Sequence, residues 1–327
     1  MVDDNAGTAG VVGPDSQLSV LVVGGTGYVG ASLCQFLFDR GHPVTAASRS
    51  QRLIFVDSEI AHLRMDVLAP IEVDQLSAFP IAIICPWIDQ SDDETSQQWI
   101  DRLVRRLVER GTRSLIYISS MWVYGTDPED LLTESTLVAP NNAYGSAHAA
   151  NEAVIAASAN ELGVDLAILR MANLVGPDPF FRFRTKTSFA HELMEMALFD
   201  QSIVLRSPPS TARNLLPGSL LHHDIAKLLD RPLVEGRVDI FNLGSSSTST
   251  IIGLAEEIAL MAERWHGGLV AIEHPEESIP QLQFHLDTTK IRQIAGPHVD
   301  DLSGELSRIL RQVVSVRDPA AVIGKPV

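Results

Sequence analysis

Positive charge is scarce in this chain. Lys and Arg total 25 against 41 Asp and Glu, a formal net charge of −16. A protein that tracks a nucleic-acid backbone needs a basic surface, and one that adheres to anionic lipid needs a polybasic patch, so neither nucleic acid nor a membrane surface is an expected partner. Aromatic residues make up 6%, too few for a base-stacking platform. There are two cysteines, Cys34 and Cys85. Both sit in apolar stretches, where they read as small buried hydrophobes rather than a zinc or disulfide framework, and no metal site is expected. No apolar run reaches the roughly 18 residues that a membrane span needs. Residues 1–17 have neither a basic n-region nor an apolar h-region. They read as a disordered tail, and a cytoplasmic home is expected.

What is present is an ordinary globular mixture, 45% hydrophobic and 20% charged over 327 residues. A chain of this size buries roughly three quarters of its unfolded surface and needs no staples. The hydrophobic period switches repeatedly between strand and helix. Short apolar runs at Leu18–Val23, Val44–Ala47, Ala61–Met65, Ile81–Cys85, Leu115–Ile118 and Leu166–Leu169 alternate with helical patterns. The helical patterns fall at Tyr28–Arg40, Trp99–Glu109 and Ala143–Leu162. That alternation predicts an α/β fold, a doubly wound parallel sheet of Rossmann type, with a smaller, partly helical substrate lobe. The expected partition is 18–178 with 215–245 for the dinucleotide-binding part and 179–214 with 246–316 for the substrate lobe. A loose tail follows at 317–327. Residues 207–218, with three prolines, read as a loop. Helices are expected at Ser188–Phe199, Leu221–Leu229, Thr250–Trp265 and Asp301–Val314, and strands at Asp239–Leu243 and Val270–Ile272.

The sharpest local signal is Gly24-Gly25-Thr26-Gly27-Tyr28-Val29-Gly30, between the first strand and the first helix. Gly24 permits a tight turn, Gly27 lets backbone approach a pyrophosphate, and Gly30 lets the helix pack closely. The helix N-terminus adds N–H donors and partial positive charge. The end of the second strand reads Ser48-Arg49-Ser50, where an acidic residue would bind a ribose 2′-hydroxyl. An Arg flanked by hydroxyls suits a 2′-phosphate, so NADP is expected over NAD. Asp66 and Val67, after the third strand, are placed for the adenine.

Further along, Ile116-Tyr117-Ile118-Ser119-Ser120-Met121-Trp122-Val123-Tyr124-Gly125 is followed by Ala143-Tyr144-Gly145-Ser146 and Glu152. Leu169-Arg170-Met171-Ala172-Asn173-Leu174-Val175-Gly176-Pro177, His223-Asp224-Ile225-Ala226 and Phe241-Asn242-Leu243-Gly244 come in order after them. Together with the Gly24 loop, these segments resemble the extended short-chain dehydrogenases, the NAD(P)-dependent epimerase/dehydratase family, over roughly residues 18–310. The resemblance implies a catalytic Ser at Ser120, a catalytic Tyr at Tyr144 and a Lys at position 148. This chain has His148 there. Its four lysines, Lys186, Lys227, Lys290 and Lys325, all lie elsewhere.

That departure has chemical weight. Residues 144 and 148 share a helix face. The family's ammonium lowers the tyrosine pKa and bonds the nicotinamide ribose. A free phenol has a pKa of about 10 and needs a nearby cation to act as a base, whereas an imidazole is mostly neutral at pH 7. Neutral His148 retains a hydrogen-bonding role toward the ribose but not the charge. Reduction of a carbonyl, which uses Tyr144 as the acid, survives the change better than oxidation of an alcohol.

For the substrate, Met121 and Trp122 either line a pocket or pack in the core. Cys85-Pro86-Trp87 crowds the nicotinamide side, and Asn173 follows the sixth strand. Arg182 and Arg184, interleaved with phenylalanines, suit a diphosphate or carboxylate. Arg213 corresponds to a phosphate-binding arginine of the family, although eleven residues separate it from Asp224. The favoured expectation is an NADP-dependent ketoreductase-like enzyme acting on a small carbonyl compound or nucleotide-sugar-like substrate, with Ser120 and Tyr144 as proton donors. The alternatives are a non-redox cyclisation, elimination or isomerisation on the same fold with the dinucleotide structural or absent, and a dinucleotide-sensing binding protein. A homodimer through the Trp99–Glu109 and Tyr144–Leu162 helices is the expected assembly.

Overall fold

A computed structural model describes residues 18–49, 55, 58–69, 76–85, 95–125, 131–183, 188–276 and 284–317. The chain begins with β1 (Val20–Val23), α1 (Tyr28–Asp39), β2 (Val44–Ser48), β3 (Ala61–Arg64) and β4 (Ile81–Ile84). It continues through α2 (Thr95–Glu109), β5 (Ser114–Ser120), the two-residue β6 (Leu131–Leu132), α3 (Ala143–Leu162), β7 (Asp165–Met171) and β8 (Asn173–Val175). α4 (Phe189–Glu195), β9 (Ser202–Val204), β10 (Ala212–Pro217), α5 (Gly218–Leu229), β11 (Val238–Leu243) and β12 (Thr248–Thr250) follow. The last elements are α6 (Ile251–His266), β13 (Ala271–Glu273), β14 (His285–Leu286), α7 (Thr289–Ala295) and α8 (Leu302–Arg317).

Seven strands form one parallel sheet in the order β11-β7-β5-β4-β1-β2-β3. The order reverses between β1 and β4, which places a cleft at the carboxyl ends of those strands, the expected ligand position in an open α/β sheet. β1 and β4 are buried at every residue, as continuous apolar strands must be when both faces are covered. Val20, Val22, Ile83 and Ile116 face one layer with Leu33, Leu37, Leu221 and Ile225. Leu21, Ile84, Leu115 and Ile168 face the other with Ile100, Leu103, Leu107 and Ile155. On that second side, α2 and α3 are joined by Arg105, which bonds both Asp101 and Glu161, and by Ser158 donating to Asp101. No helix of the described residues is long and apolar enough to cross a membrane, and none of their acidic, His and Cys side chains cluster as a metal site.

A separate apolar cluster holds the smaller lobe, built from α4, α6, α8 and β9 around Leu193, Met194, Leu254, Ile258, Ile309 and Val313. Several details depart from the sequence reading. Residues 212–217 form β10 rather than a loop, seated between β8 and β12. Pro217 is harmless there because it ends the strand. α5 begins at Gly218, earlier than Leu221, because the buried Glu305 carboxylate from α8 accepts the Ser219 N–H at 2.6 Å and satisfies a free donor of the first turn. Residues 284–295 were expected in the substrate lobe, but Phe284, Leu286, Ile291 and Ala295 pack in the core of the large sheet.

Candidate active site

Each glycine of the first loop meets a different demand. Gly24 has φ +78°, and a Cβ there would sit 2.1 Å from the Cys85 carbonyl oxygen. A Cβ on Gly30 would sit 2.3 Å from the Gly24 carbonyl oxygen, so this glycine packs the helix onto the loop itself. Gly27 is different, since its Cβ would meet only the Gly24 oxygen, at 3.1 Å. The protein therefore leaves space at Gly27 that its own packing does not require. Gly27 is also the N-cap of α1, no side chain caps that end, and the first turn carries no acidic residue. An uncapped helix start with an open backbone approach fits a pyrophosphate. A bound dinucleotide would be held there by the backbone of Gly24–Gly30.

Thr26 is buried and Val29 packs on the sheet core. Tyr28 does something the sequence did not show. Its hydroxyl donates to the Gly176 carbonyl at 2.7 Å and accepts the Gly176 N–H at 3.0 Å, tying the phosphate-loop helix to the end of β8. At the other end of the cofactor cleft, the Ser48 hydroxyl bonds His62 Nε2 at 3.1 Å, Arg49 is exposed, and Arg64 stands opposite Ser48 in the β2–β3 register. Burial lowers the His62 pKa. Asp66 accepts the Leu68 N–H at 3.0 Å in a turn, and Val67 packs partly on the second core layer. Ser50, Trp87 and Arg184 lie outside the described residues.

The reactive centre forms where β5 ends. Ser120 caps the 3₁₀ turn Met121–Tyr124, its Oγ accepting the Trp122 N–H at 3.3 Å, and its hydroxyl is near enough to the Tyr144 phenol to lower that group's pKa. α3 can approach this turn because Gly145 lacks a side chain; a Cβ there would lie 2.3 Å from the Trp122 carbonyl oxygen. Asn142 caps α3 by accepting the Gly145 N–H at 2.8 Å. Tyr144 is 38% exposed, the most solvent-open large aromatic of this group. Burial of its phenol raises its pKa, and the Ser120 hydrogen bond only partly opposes that.

His148 is 2% exposed. Its Nδ1 lies 3.2 Å from the Tyr117 hydroxyl, and its Nε2 is enclosed without a nitrogen or oxygen partner. Its ring stands edge-on to Tyr144 with centroids 4.6 Å apart. Burial lowers its pKa to about 4, so it is neutral at pH 7. The expectation that His148 reaches a cofactor ribose is therefore corrected, because neither ring nitrogen is open to a ligand in this arrangement. Cys85 packs behind the loop, and burial pushes its thiol up to about 12. Its side chain is half-buried.

Behind Ser120 lies a network that motif reading did not reveal. Ser119, Arg170 and Asn242 are in register across β5, β7 and β11. Arg170 pairs with Glu152 at 2.7 Å, both buried, and Ser119 donates to the same carboxylate at 2.5 Å. Arg170 also donates to the Tyr124 hydroxyl at 3.1 Å, which donates to Asn242 at 2.6 Å. Asn242 in turn donates to the Leu132 and Asp287 carbonyls at 3.2 and 3.1 Å. Spacing alone could not find this set, since its partners are up to 118 positions apart.

Of the proposed substrate contacts, Met121 is buried in the core and is not a pocket residue, while Trp122 is half-buried. The Asn173 amide donates to the Asn214 carbonyl at 3.0 Å. Arg182 is exposed, with its guanidinium 6.0 Å from the centre of the Phe183 ring. Arg213 is half-buried on β10, and its hydrogen bond among the described residues is to the Ala212 carbonyl at 2.9 Å. Burial lowers its pKa, the mark of a cation drawn from water without a carboxylate among the described residues to compensate. Asp224 instead pairs with Arg292 within the second turn of α5, so its sequence distance from Arg213 says nothing about the site.

Residues 20–213 match the family model described as the NAD dependent epimerase/dehydratase family. A UDP-glucose 4-epimerase of Azospirillum brasilense is 27% identical over 206 residues, 58% of this chain and 58% of that protein. A dTDP-glucose 4,6-dehydratase of Streptomyces niveus is 28% identical over 185 residues, 55% of this chain and 51% of that protein. The chain thus matches little more than half the length of these curated relatives. Among solved structures, the UDP-glucose 4-epimerase of Thermotoga maritima with UDP-glucose superposes with TM-score 0.76 at 17% identity, covering 90% of this chain and 97% of the other. An NAD dependent NDP-hexosamine 5,6-dehydratase involved in tunicamycin biosynthesis gives TM-score 0.74 at 16% identity, covering 93% and 99%. At those identities the structural likeness shows the fold.

Proposed function

The chain belongs to the NAD dependent epimerase/dehydratase family, and from that premise we propose that it is a dinucleotide-dependent reductase of a carbonyl group on a nucleotide-sugar-like substrate, with NADP preferred. The observation that carries this reading is the electrostatics around Tyr144. Among the described residues no cation is a cause of the phenol's shift, burial raises its pKa, and the Ser120 hydroxyl only partly opposes that. His148, where the resemblance implies an ammonium, is buried and neutral. A phenol held in its acid form cannot serve as the base that alcohol oxidation requires, but it is ready to donate a proton.

The division of labour follows. A bound dinucleotide supplies the hydride. Ser120 orients the substrate oxygen, Tyr144 delivers the proton to it, and the exposed phenol recovers its proton from solvent. Arg213 supports the substrate class: a desolvated guanidinium bonded to a backbone carbonyl, in a chain of net charge −16, offers a bidentate grip to a diphosphate. NADP preference is supported by Ser48, Arg49 and Arg64 at the ribose end, where β2 and β3 bring no carboxylate.

The test is absorbance at the reduced-nicotinamide band with UDP- and dTDP-linked keto sugars, using NADPH and NADH in parallel. Consumption of NADPH that Tyr144→Phe abolishes is the expected result. Tight dinucleotide binding with no consumption on any keto sugar overturns the reductase reading. Equal affinity for the two cofactors overturns the NADP preference alone.

A further inference from the structure

The reading of Tyr144 as a proton donor leaves a question about its neighbour, a buried imidazole with one bonded nitrogen and one enclosed nitrogen. We infer that Tyr117 is a positioning residue: its hydroxyl donates to His148 Nδ1, fixes the imidazole as the Nε2–H tautomer and holds a neutral ring against Tyr144. This deepens the proposed function and rests on it.

Three observations carry the inference. Tyr117 is fully buried on β5, and its hydroxyl lies 3.2 Å from Nδ1. A phenol is a better donor than acceptor, and an unprotonated imidazole nitrogen is a strong acceptor, so the favoured sense of this bond runs from Tyr117 to His148. Second, Asn151 stands one turn beyond His148 on the same face of α3 and is buried, yet its Oδ1 has no hydrogen-bond partner, so it does not compete with His148 Nδ1 for the Tyr117 phenol proton. Third, burial is the one influence moving the His148 pKa. The titratable groups acting on Tyr117 are Glu152, Tyr144 and Cys85, and Glu152 is already engaged by Arg170.

Burial keeps the ring neutral, and the hydrogen bond acts in the same sense. A bond donated into the Nδ1 lone pair stabilises the unprotonated imidazole and disfavours the imidazolium. The Tyr117–His148 pair occupies the space beside Tyr144 with a hydrogen-bonded neutral group where a Lys would bring charge. It keeps the Tyr144 ring supported on one edge without drawing its proton away.

The experiment is long-range ¹H–¹⁵N correlation on the full chain labelled in histidine, free of cofactor and substrate. His148 is assigned by the signal that His148→Gln removes. The expected wild-type spectrum shows a single Nε2–H tautomer for His148. In Tyr117→Phe the expected spectrum shows a mixture of tautomers, and kcat for carbonyl reduction falls about tenfold while KM changes by less than about twofold. A wild-type Nδ1–H tautomer overturns the inference, as does an unchanged tautomer in Tyr117→Phe. If Tyr117→Phe does not fold, the wild-type spectrum decides by itself. Because the tautomer is read without turnover, the reductase reading can fail while this assignment stands, and the reverse.

Discussion

Lowering the pH should unfold this protein in a way that one substitution can isolate. His148 has an ordinary imidazole value of 6.5 when unfolded and about 4 in the folded protein, where burial holds it neutral. As the pH falls past 6.5 the unfolded chain takes up a proton that the folded chain refuses. The unfolded state then binds more protons, and stability falls with pH until the folded value is passed. The contribution is intact above 6.5. Each pH unit of the gap is worth about 1.4 kcal/mol, so His148 costs the folded state about 2 kcal/mol at pH 5 and about 3 kcal/mol at pH 4. Replacing it by Gln removes the titration while keeping a polar side chain near Tyr117. The assay is urea unfolding of wild type and His148→Gln at pH 7.5 and pH 5. The variant should start less stable, yet lose about 2 kcal/mol less on acidification. Parallel losses in the two proteins would refute the argument that His148 is a buried neutral base. His222, also held near 4, chiefly by burial, remains in both proteins and cancels.

The remaining expectations concern the loop, the buried ion pair and the diphosphate site. Gly27→Val should abolish dinucleotide binding by calorimetry while the melting temperature shifts little, since a Cβ there meets one atom; Gly30→Val should lower stability instead, because its Cβ would collide with the Gly24 carbonyl. Arg170→Ala should cost about 3–5 kcal/mol in urea unfolding, because Glu152 would be left as an uncompensated buried charge. The double variant Arg170→Met with Glu152→Leu should recover much of that loss. Arg213→Ala should raise KM for a nucleotide-diphosphate substrate by about tenfold or more and leave dinucleotide affinity unchanged; an unchanged KM would remove Arg213 from the substrate site.

The elements legible in the sequence were those whose signal is local. β1, α1 and the Gly24–Gly30 loop announce themselves through a short apolar run, a glycine spacing and a helical stripe. The pairing of Ser120 with Tyr144 was legible only through resemblance, since the two residues stand 24 positions apart and meet because Gly145 lets α3 reach the Trp122 turn. β10 was missed because Pro208, Pro209 and Pro217 read as loop chemistry, whereas its strand is stabilised by neighbours on both sides. The closure of His148 could not be read from its position. Helical spacing puts it on the Tyr144 face, but only packing against β5 shows that Tyr117 claims its nitrogen. Arg170 looked like one residue in a family segment, and its connection to Glu152, Tyr124 and Asn242 is a property of the closed sheet.

Asn242 also bears on how the molecule comes together in time. It joins Tyr124, the β6 strand at Leu132, and Asp287, three stretches that emerge from the ribosome far apart. Arg170 and Glu152 are buried as ions in the same network, so they are sheltered only once β11 has been added to the sheet edge beside β7. Contacts of such long separation close late, after their loop entropy has been overcome. A nascent chain ending near residue 213, the limit of the family match, would hold the phosphate loop, Ser120 and Tyr144 yet lack the strand that completes their support. On that ordering the cofactor cleft would be assembled before its foundation. Pulse-labelled hydrogen exchange should find the β1 amides protected well before those of β11.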